Sequence, residues 1–164
     1  MTEPISAEEL AILNRAPHLK WAVIGCGVIA NEMADALARV GRHIDGVANR
    51  TLEKAQAFAS RHDVPRVYTS YQELYDDPSI DAVYITTPHN THAEYIRGAL
   101  NAGKHVLCEK AITLNTEELD EGMALARERG LVLMDACTIL HMPLYKMLRR
   151  SLRLEILDKC ILRR

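Results

Sequence analysis

Two short clusters in this chain have the residue types and spacing for chemistry. Gly25-Cys26-Gly27-Val28-Ile29-Ala30 follows the apolar run Leu19 to Ile24, and Glu109-Lys110 closes a second apolar run, His105 to Cys108. The first has the form of a phosphate-binding turn. Gly25 allows a tight exit from a strand, Gly27 lets backbone approach a pyrophosphate, and Ala30 is small enough for the next helix to pack on the strand. A helix beginning at Val28 and Ile29 then presents free N–H groups and a partial positive charge to the phosphates. Two glycines also occur in ordinary strand–helix turns. The periodic stretch Met33-Ala34-Leu37-Ala38-Val40 that follows favours the ligand reading.

Lys110 is the candidate catalytic group. A lysine at the mouth of an apolar strand can have its pKa lowered by desolvation, orient a substrate hydroxyl and exchange its proton during hydride transfer. Glu109 is expected to orient Lys110 or a ribose. The alternative is a surface Glu-Lys pair. Asn49-Arg50 stands where an NAD-specific site places an acid for the ribose 2′-OH, and Arg50 suits a 2′-phosphate or stacks on adenine. NADP is therefore expected to bind at least as well as NAD. The alternative is a solvated arginine ahead of an N-cap Thr51, and Asp45 lies too early to replace the acid. Thr87-Pro88-His89-Asn90-Thr91-His92 is a rigid turn into a helix that can lie against a cofactor ring. His89 reads equally as a ligand contact or a solvated residue, and His92 equally as a structural hydrogen-bonding group. His89 and His92 have no third partner at metal-ligand spacing, so no metal site is expected.

These residues need a frame that brings them together. Short apolar runs at Leu19–Ile24, Ile44–Ala48, Arg66–Tyr68, Asp81–Thr86, His105–Cys108 and Leu131–Met134 alternate with amphipathic stretches. The pattern predicts an α/β fold, a doubly wound parallel sheet with ligands at the C-terminal strand ends. Helices are predicted over about 28–40 with Gly41 after the C-cap, through Ala55, Phe58 and Ala59 until Pro65, after Ser70, from Thr91 to near Gly103, and over 115–129. Ser6-Ala7-Glu8-Glu9 predicts a further short helix to about Arg15. With 164 residues, 48% apolar and 26% charged, the chain can bury one core. A net charge of −2 gives no case for nucleic acid or an anionic membrane. No apolar run approaches the ~20 residues of a membrane span. Cys26, Cys108, Cys137 and Cys160 lack metal or redox spacing and read as reduced thiols of a cytoplasmic protein.

Taken together, GCGVIA, ANRT, YITTPHNTH, ALNAGKHVLCEKAITLN and GLVLMDACTILHMPLYKMLR resemble the nucleotide-binding domain of the glucose–fructose oxidoreductase and inositol dehydrogenase family (Gfo/Idh/MocA), over residues 19 to 149. The resemblance implies a Rossmann-type sheet binding NAD or NADP, and hydride transfer to or from a hydroxyl or carbonyl of a sugar, cyclitol or related diol. It maps the family's glycine loop to Gly25 and Gly27, its nicotinamide-side loop to Thr87, Pro88, His89 and His92, and its Glu-Lys-Pro motif to Glu109 and Lys110. Two departures stand out. Ala111 replaces the motif's proline, and the cost of a non-proline cis bond leads to the expectation that Lys110–Ala111 is trans. The sequence also stops before the family's second α+β domain, which binds substrate and often forms homo-oligomers. The expected division is a helical extension over 1–17, a dinucleotide-binding domain over 18–142, and the start of a crossover over 143–164.

The residues after Arg149 do not match the family. One choice of codons for 149–162, read from its third base, encodes Glu-Ile-Ile-Glu-Ala-Gly-Asp-Phe-Gly-Gln-Val-His-Leu, a helix end, a glycine turn and a strand. The expectation is a frameshifted tail, and the alternative a natural basic helix. The reading is the dinucleotide-binding half of an oxidoreductase, inactive alone. Its rivals are a non-catalytic dinucleotide sensor and an interaction fragment that pairs with another chain.

Overall fold

A computed structural model describes residue 11 and residues 14–148. The predicted N-terminal helix falls mostly outside them, with Ala11, Asn14 and Arg15 helical, and the proposed frameshifted tail lies wholly outside.

Six short strands form one parallel sheet: β1 (Trp21–Ile24), β2 (Gly46–Ala48), β3 (Arg66–Tyr68), β4 (Ala82–Ile85), β5 (His105–Cys108) and β6 (Leu133–Asp135), in the spatial order β3-β2-β1-β4-β5-β6. Ala22 pairs with Gly46 on one side and Val83 on the other. The strand order therefore reverses direction between β1 and β4, which makes the crevice beyond their C-terminal ends the expected ligand site. Strands covered on both faces read as continuous apolar runs, as Trp21–Ile24 and Ala82–Ile85 do.

Among the described residues, five α-helices cover the sheet: α1 (Val28–Arg39), α2 (Leu52–His62), α3 (Tyr71–Asp76), α4 (His92–Asn101) and α5 (Thr116–Glu128). Ala30 and Ala34 of α1 with Ala55, Phe58 and Ala59 of α2 pack on Val23, Val47 and Tyr84. Leu74 of α3, Ile96, Ala99 and Leu100 of α4 and Ala126 of α5 pack on Ile24, Val83, Ile85 and Val106.

Local signals account for the helix ends. The Ser70 hydroxyl accepts from Glu73 N at 3.1 Å, and Asn115 Oδ1 accepts from Glu118 N at 2.8 Å. Gly41, with φ of +70°, follows the C-cap of α1. Helix α2 stops at Asp63, in the left-handed conformation at φ +53°, two residues before the proline expected to end it. Strands β3 and β5 have the predicted bounds, β1 and β2 start two residues later than predicted, β4 is one residue shorter at each end, and β6 runs over Leu133–Asp135 rather than 131–134. A short 3-10 turn over Thr138–His141, absent from the sequence expectation, leads into helical residues 143–148.

Candidate functional site

Strand β1 delivers the glycine loop to the crevice. Its end is held from both sides, with Gly25 N donating to Ala48 O and Thr86 N donating to Ile24 O, both at 2.9 Å. Gly25 has φ of +102°, and a Cβ there would stand 2.7 Å from Thr86 Oγ1, so both backbone and space demand glycine. Gly27 is the N-cap of α1 with ordinary φ of −77°. Nothing lies within 4 Å of where its Cβ would be. Its side-chain position is open to a ligand. Helix α1 has no side-chain cap, and of the five α-helices it alone has no acid in its first turn. Its free N–H groups and positive dipole end suit an anion. Val28 and Ile29 are exposed beside them, and Ala30 is buried against the sheet.

Asn49, Arg50 and Thr51 after β2, with Lys54 in the first turn of α2, form one wall of a cleft of about 370 Å³. Thr87, Pro88, Asn90 and Thr91 form the other. Asn49 Nδ2 donates to Thr51 O at 2.9 Å and tightens the turn. Arg50 and Lys54 thus place two cations beside one groove. Asp45 lies at the opposite end of the strand, where its carboxylate accepts from Trp21 N at 2.9 Å.

The loops after β4 and β5 are tied by histidines. His89 is exposed, and its Nε2 is 2.9 Å from Lys110 O. His92 is completely buried, with Nε2 2.8 Å from Thr87 O and Nδ1 3.1 Å from Ala111 O. Both ring nitrogens face backbone, which leaves neither for a ligand. The rings meet edge to face at 5.5 Å. Thr91 Oγ1 donates within the same loop, to Thr87 Oγ1 and Pro88 O. The Lys110–Ala111 bond is cis, contrary to the expectation from the missing proline. That expectation rested on the preference of an isolated peptide. In the folded chain the carbonyls of Lys110 and Ala111 are held by His89 and His92.

Glu109 is buried at 8% exposure, and its Oε1 accepts the Tyr84 hydroxyl at 2.5 Å. Burial pushes the Tyr84 phenol well above its usual range, and the hydrogen bond to Glu109 adds to the shift. Glu109 was expected to orient Lys110 or a ribose. It instead braces Tyr84, and only the backbone N–H of Lys110 reaches its Oε2, at 3.3 Å. The Lys110 side chain is exposed and makes no hydrogen bond or ion pair among the described residues.

Three rim residues were not singled out in the sequence. Lys54 sits three positions after Thr51, a spacing that puts it in the first helical turn. Tyr84 lies in a strand whose register aligns it with Leu107, so it shares a face with Glu109. Asp135 closes the apolar run of β6 much as Glu109 closes β5, and its Oδ1 is buried without a hydrogen-bond partner. Among the described residues Cys26, Cys108 and Cys137 are free thiols, and desolvation pushes Cys26 up to about 11 and Cys108 up to about 12. No group of three His, Cys, Asp or Glu side chains among the described residues is arranged to hold a metal ion. No helix among them is long and apolar enough to cross a membrane.

Comparison with known proteins places this geometry among oxidoreductases. The family model GFO_IDH_MocA, described as an oxidoreductase family with an NAD-binding Rossmann fold, matches residues 19–136. A trans-1,2-dihydrobenzene-1,2-diol dehydrogenase of Sus scrofa is 39% identical over 142 residues, which is 85% of this chain and 42% of that protein. KijD10, a 3-ketoreductase from Actinomadura kijaniata solved in complex with NADP and TDP-benzene, superposes with a TM-score of 0.76 at 36% identity, covering 82% of this chain and 42% of its own. The UDP-N-acetylglucosamine 3-dehydrogenase GnnA from Acidithiobacillus ferrooxidans superposes with a TM-score of 0.75 at 33% identity, covering 83% and 44%. The chain thus spans less than half the length of these relatives.

Proposed function

Because the chain belongs to the Gfo/Idh/MocA oxidoreductase family and carries its NAD-binding Rossmann fold, we propose that it is the NADP-preferring half of an enzyme acting on a hydroxyl or carbonyl of a sugar, cyclitol or related diol. The observation that carries the reading is the single C-terminal rim uniting an acid-free helix start at Gly27 and Val28, the Arg50–Lys54 groove and the exposed Lys110.

Each group has a task on that rim. The first-turn amides of α1 receive the diphosphate. Arg50 and Lys54 meet the adenosine ribose, where a 2′-phosphate gives two cations an anion and no carboxylate opposes it. Thr87 and Pro88 form a firm edge for the ring, since Thr91 pins the loop and His92 braces it from beneath. The bound cofactor supplies hydride donation and acceptance. Lys110 Nζ orients the substrate oxygen and accepts or returns its proton. Glu109 holds the start of the Lys110 loop through the Lys110 N–H. The diol dehydrogenase, 3-ketoreductase and 3-dehydrogenase among the relatives support the substrate class.

Calorimetric titration of the 164-residue chain tests the cofactor half of the reading. NADP is expected to bind at least as tightly as NAD, and Arg50→Ala and Lys54→Ala are each expected to weaken NADP more than NAD. A strong NAD preference in the unsubstituted chain would sink it. The catalytic half is tested in a chimera that joins residues 1–148 to the remaining part of one of these relatives. There, Lys110→Ala is expected to remove most turnover on a polyol and sugar panel.

A further inference from the structure

The last turn of α2 reaches the glycine loop through two side chains. The His62 side chain is only 8% exposed, and its ring lies 4.7 Å from that of Phe58. Its Nε2 is 2.8 Å from Asn31 Oδ1. Asn31, in α1, donates from Nδ2 to the Gly27 carbonyl at 2.8 Å and more weakly to the Cys26 carbonyl at 3.5 Å. Carbonyls only accept, so the Asn31 amide nitrogen must face the loop and its oxygen must face His62. His62 therefore donates from Nε2. Its other nitrogen lies 3.6 Å from Asp35 Oδ1.

A peptide unit is planar, and in the trans form its C=O and the next N–H point in opposite directions. Holding the Gly27 carbonyl therefore sets the direction of the Val28 N–H, and holding the Cys26 carbonyl sets that of Gly27. The Gly27 carbonyl also accepts from Asn31 N at 3.2 Å, so Asn31 holds it through both backbone and side chain. Gly27 has no side chain, and α1 has no side-chain cap.

We infer that His62 is a positioning residue for the dinucleotide diphosphate, acting through Asn31 to aim the Gly27 and Val28 N–H groups at the phosphates. The inference rests on the dinucleotide-binding reading. It adds a link between the two helices whose N-termini frame the site. His62 locks the orientation of the Asn31 amide, and Asn31 locks the loop.

The test is calorimetry on the 164-residue chain with two probes. NADP spans the whole rim, whereas 2′-AMP carries the adenosine end without the diphosphate. His62→Ala is expected to weaken NADP about three- to tenfold, the worth of one hydrogen bond, and to leave 2′-AMP unchanged. His62→Gln, which returns an N–H donor near the Nε2 position, is expected to recover most of the loss. Asn31→Ala is expected to cost at least as much as His62→Ala, and the double variant no more than Asn31→Ala alone, since the two act in series. NADP affinity in His62→Ala within about twofold of the unsubstituted chain, below the worth of a hydrogen bond, would overturn the inference and leave the function standing. So would equal weakening of both probes, which marks a general loosening of α2, or a failure of Gln to rescue. If the unsubstituted, folded chain bound no NADP, the functional reading and the inference would fall together.

Discussion

Gly25 and Gly27 stand two residues apart in different surroundings. A Cβ on Gly25 meets Thr86 at 2.7 Å and a backbone φ of +102°, whereas one on Gly27 meets open space. Gly25→Ala is expected to destabilise the fold by roughly 1–3 kcal/mol, seen as a lower denaturation midpoint. Gly27→Val is expected to melt near the unsubstituted chain but to weaken dinucleotide binding by more than about tenfold, or 1.4 kcal/mol. Unchanged affinity would put the cofactor elsewhere. Tyr84 offers a second separation. Its hydroxyl donates to the buried Glu109, so Tyr84→Phe removes the donor and strands a carboxylate oxygen. A loss of about 1–3 kcal/mol is expected in chemical denaturation. A neutral result would mean that water replaces the hydroxyl.

At the scale of elements, the turn after α3 ties the edge strand β3 to the segments that lead into β4 and β5. Asp77 accepts from Arg66 and Tyr68 of β3, each at 2.8 Å, and from both the N–H and the hydroxyl of Ser79. Its own carbonyl takes the Lys104 ammonium at 2.6 Å, just ahead of β5. The Ser79 hydroxyl first, opposed by partial burial, then the Ser79 N–H, Tyr68 and Arg66 hold the Asp77 carboxyl well below its ordinary 3.8. A carboxyl whose pKa is lower folded than unfolded stabilises the fold above the unfolded value. That contribution is lost as pH falls through the folded one. Asp77→Asn is therefore expected to lower the melting temperature at neutral pH, by an amount that shrinks as pH drops below about 4. A deficit that stayed constant down to strongly acid pH would mean that Asp77 acts through shape rather than charge.

Across the whole molecule, apolar side chains gather on the surface after β6. Ile139, Leu140, Met142, Leu144, Met147 and Leu148 are each 42–71% exposed, beside the edge strand residue Met134 at 44%. Exposed apolar side chains that follow an edge strand closely in sequence favour association. The 164-residue chain is expected to show concentration-dependent self-association in sedimentation, reduced by Leu144→Asp with Leu148→Asp. A monomer at all concentrations would contradict this. The same chain is expected to show little or no turnover on sugars or cyclitols. Among the described residues the rim has no opposing wall to hold a substrate against the cofactor, and positioning is worth effective molarities up to ~10⁵–10⁸ M. Turnover at ordinary rates would refute the role given to a second domain.

The order of elements was legible in the sequence because each leaves a local mark. Buried parallel strands are short apolar runs, Ser70 and Gly41 mark helix ends, and the chemistry sits where those runs stop. The two glycines, Asn49-Arg50, Thr87-Pro88 and Glu109-Lys110 all fall on one rim for that reason. Partners were not legible. Tyr84 reaches Glu109 across 25 positions, His92 reaches Ala111 across 19, and His62 reaches Asn31 across 31. Strand alternation tells which face a side chain takes, but not which neighbour it meets, and that depends on register and strand order. Only the packed sheet brought the histidines to the carbonyls around the Lys110–Ala111 bond and turned Glu109 toward Tyr84. Those contacts are made between elements, and no single element encodes them.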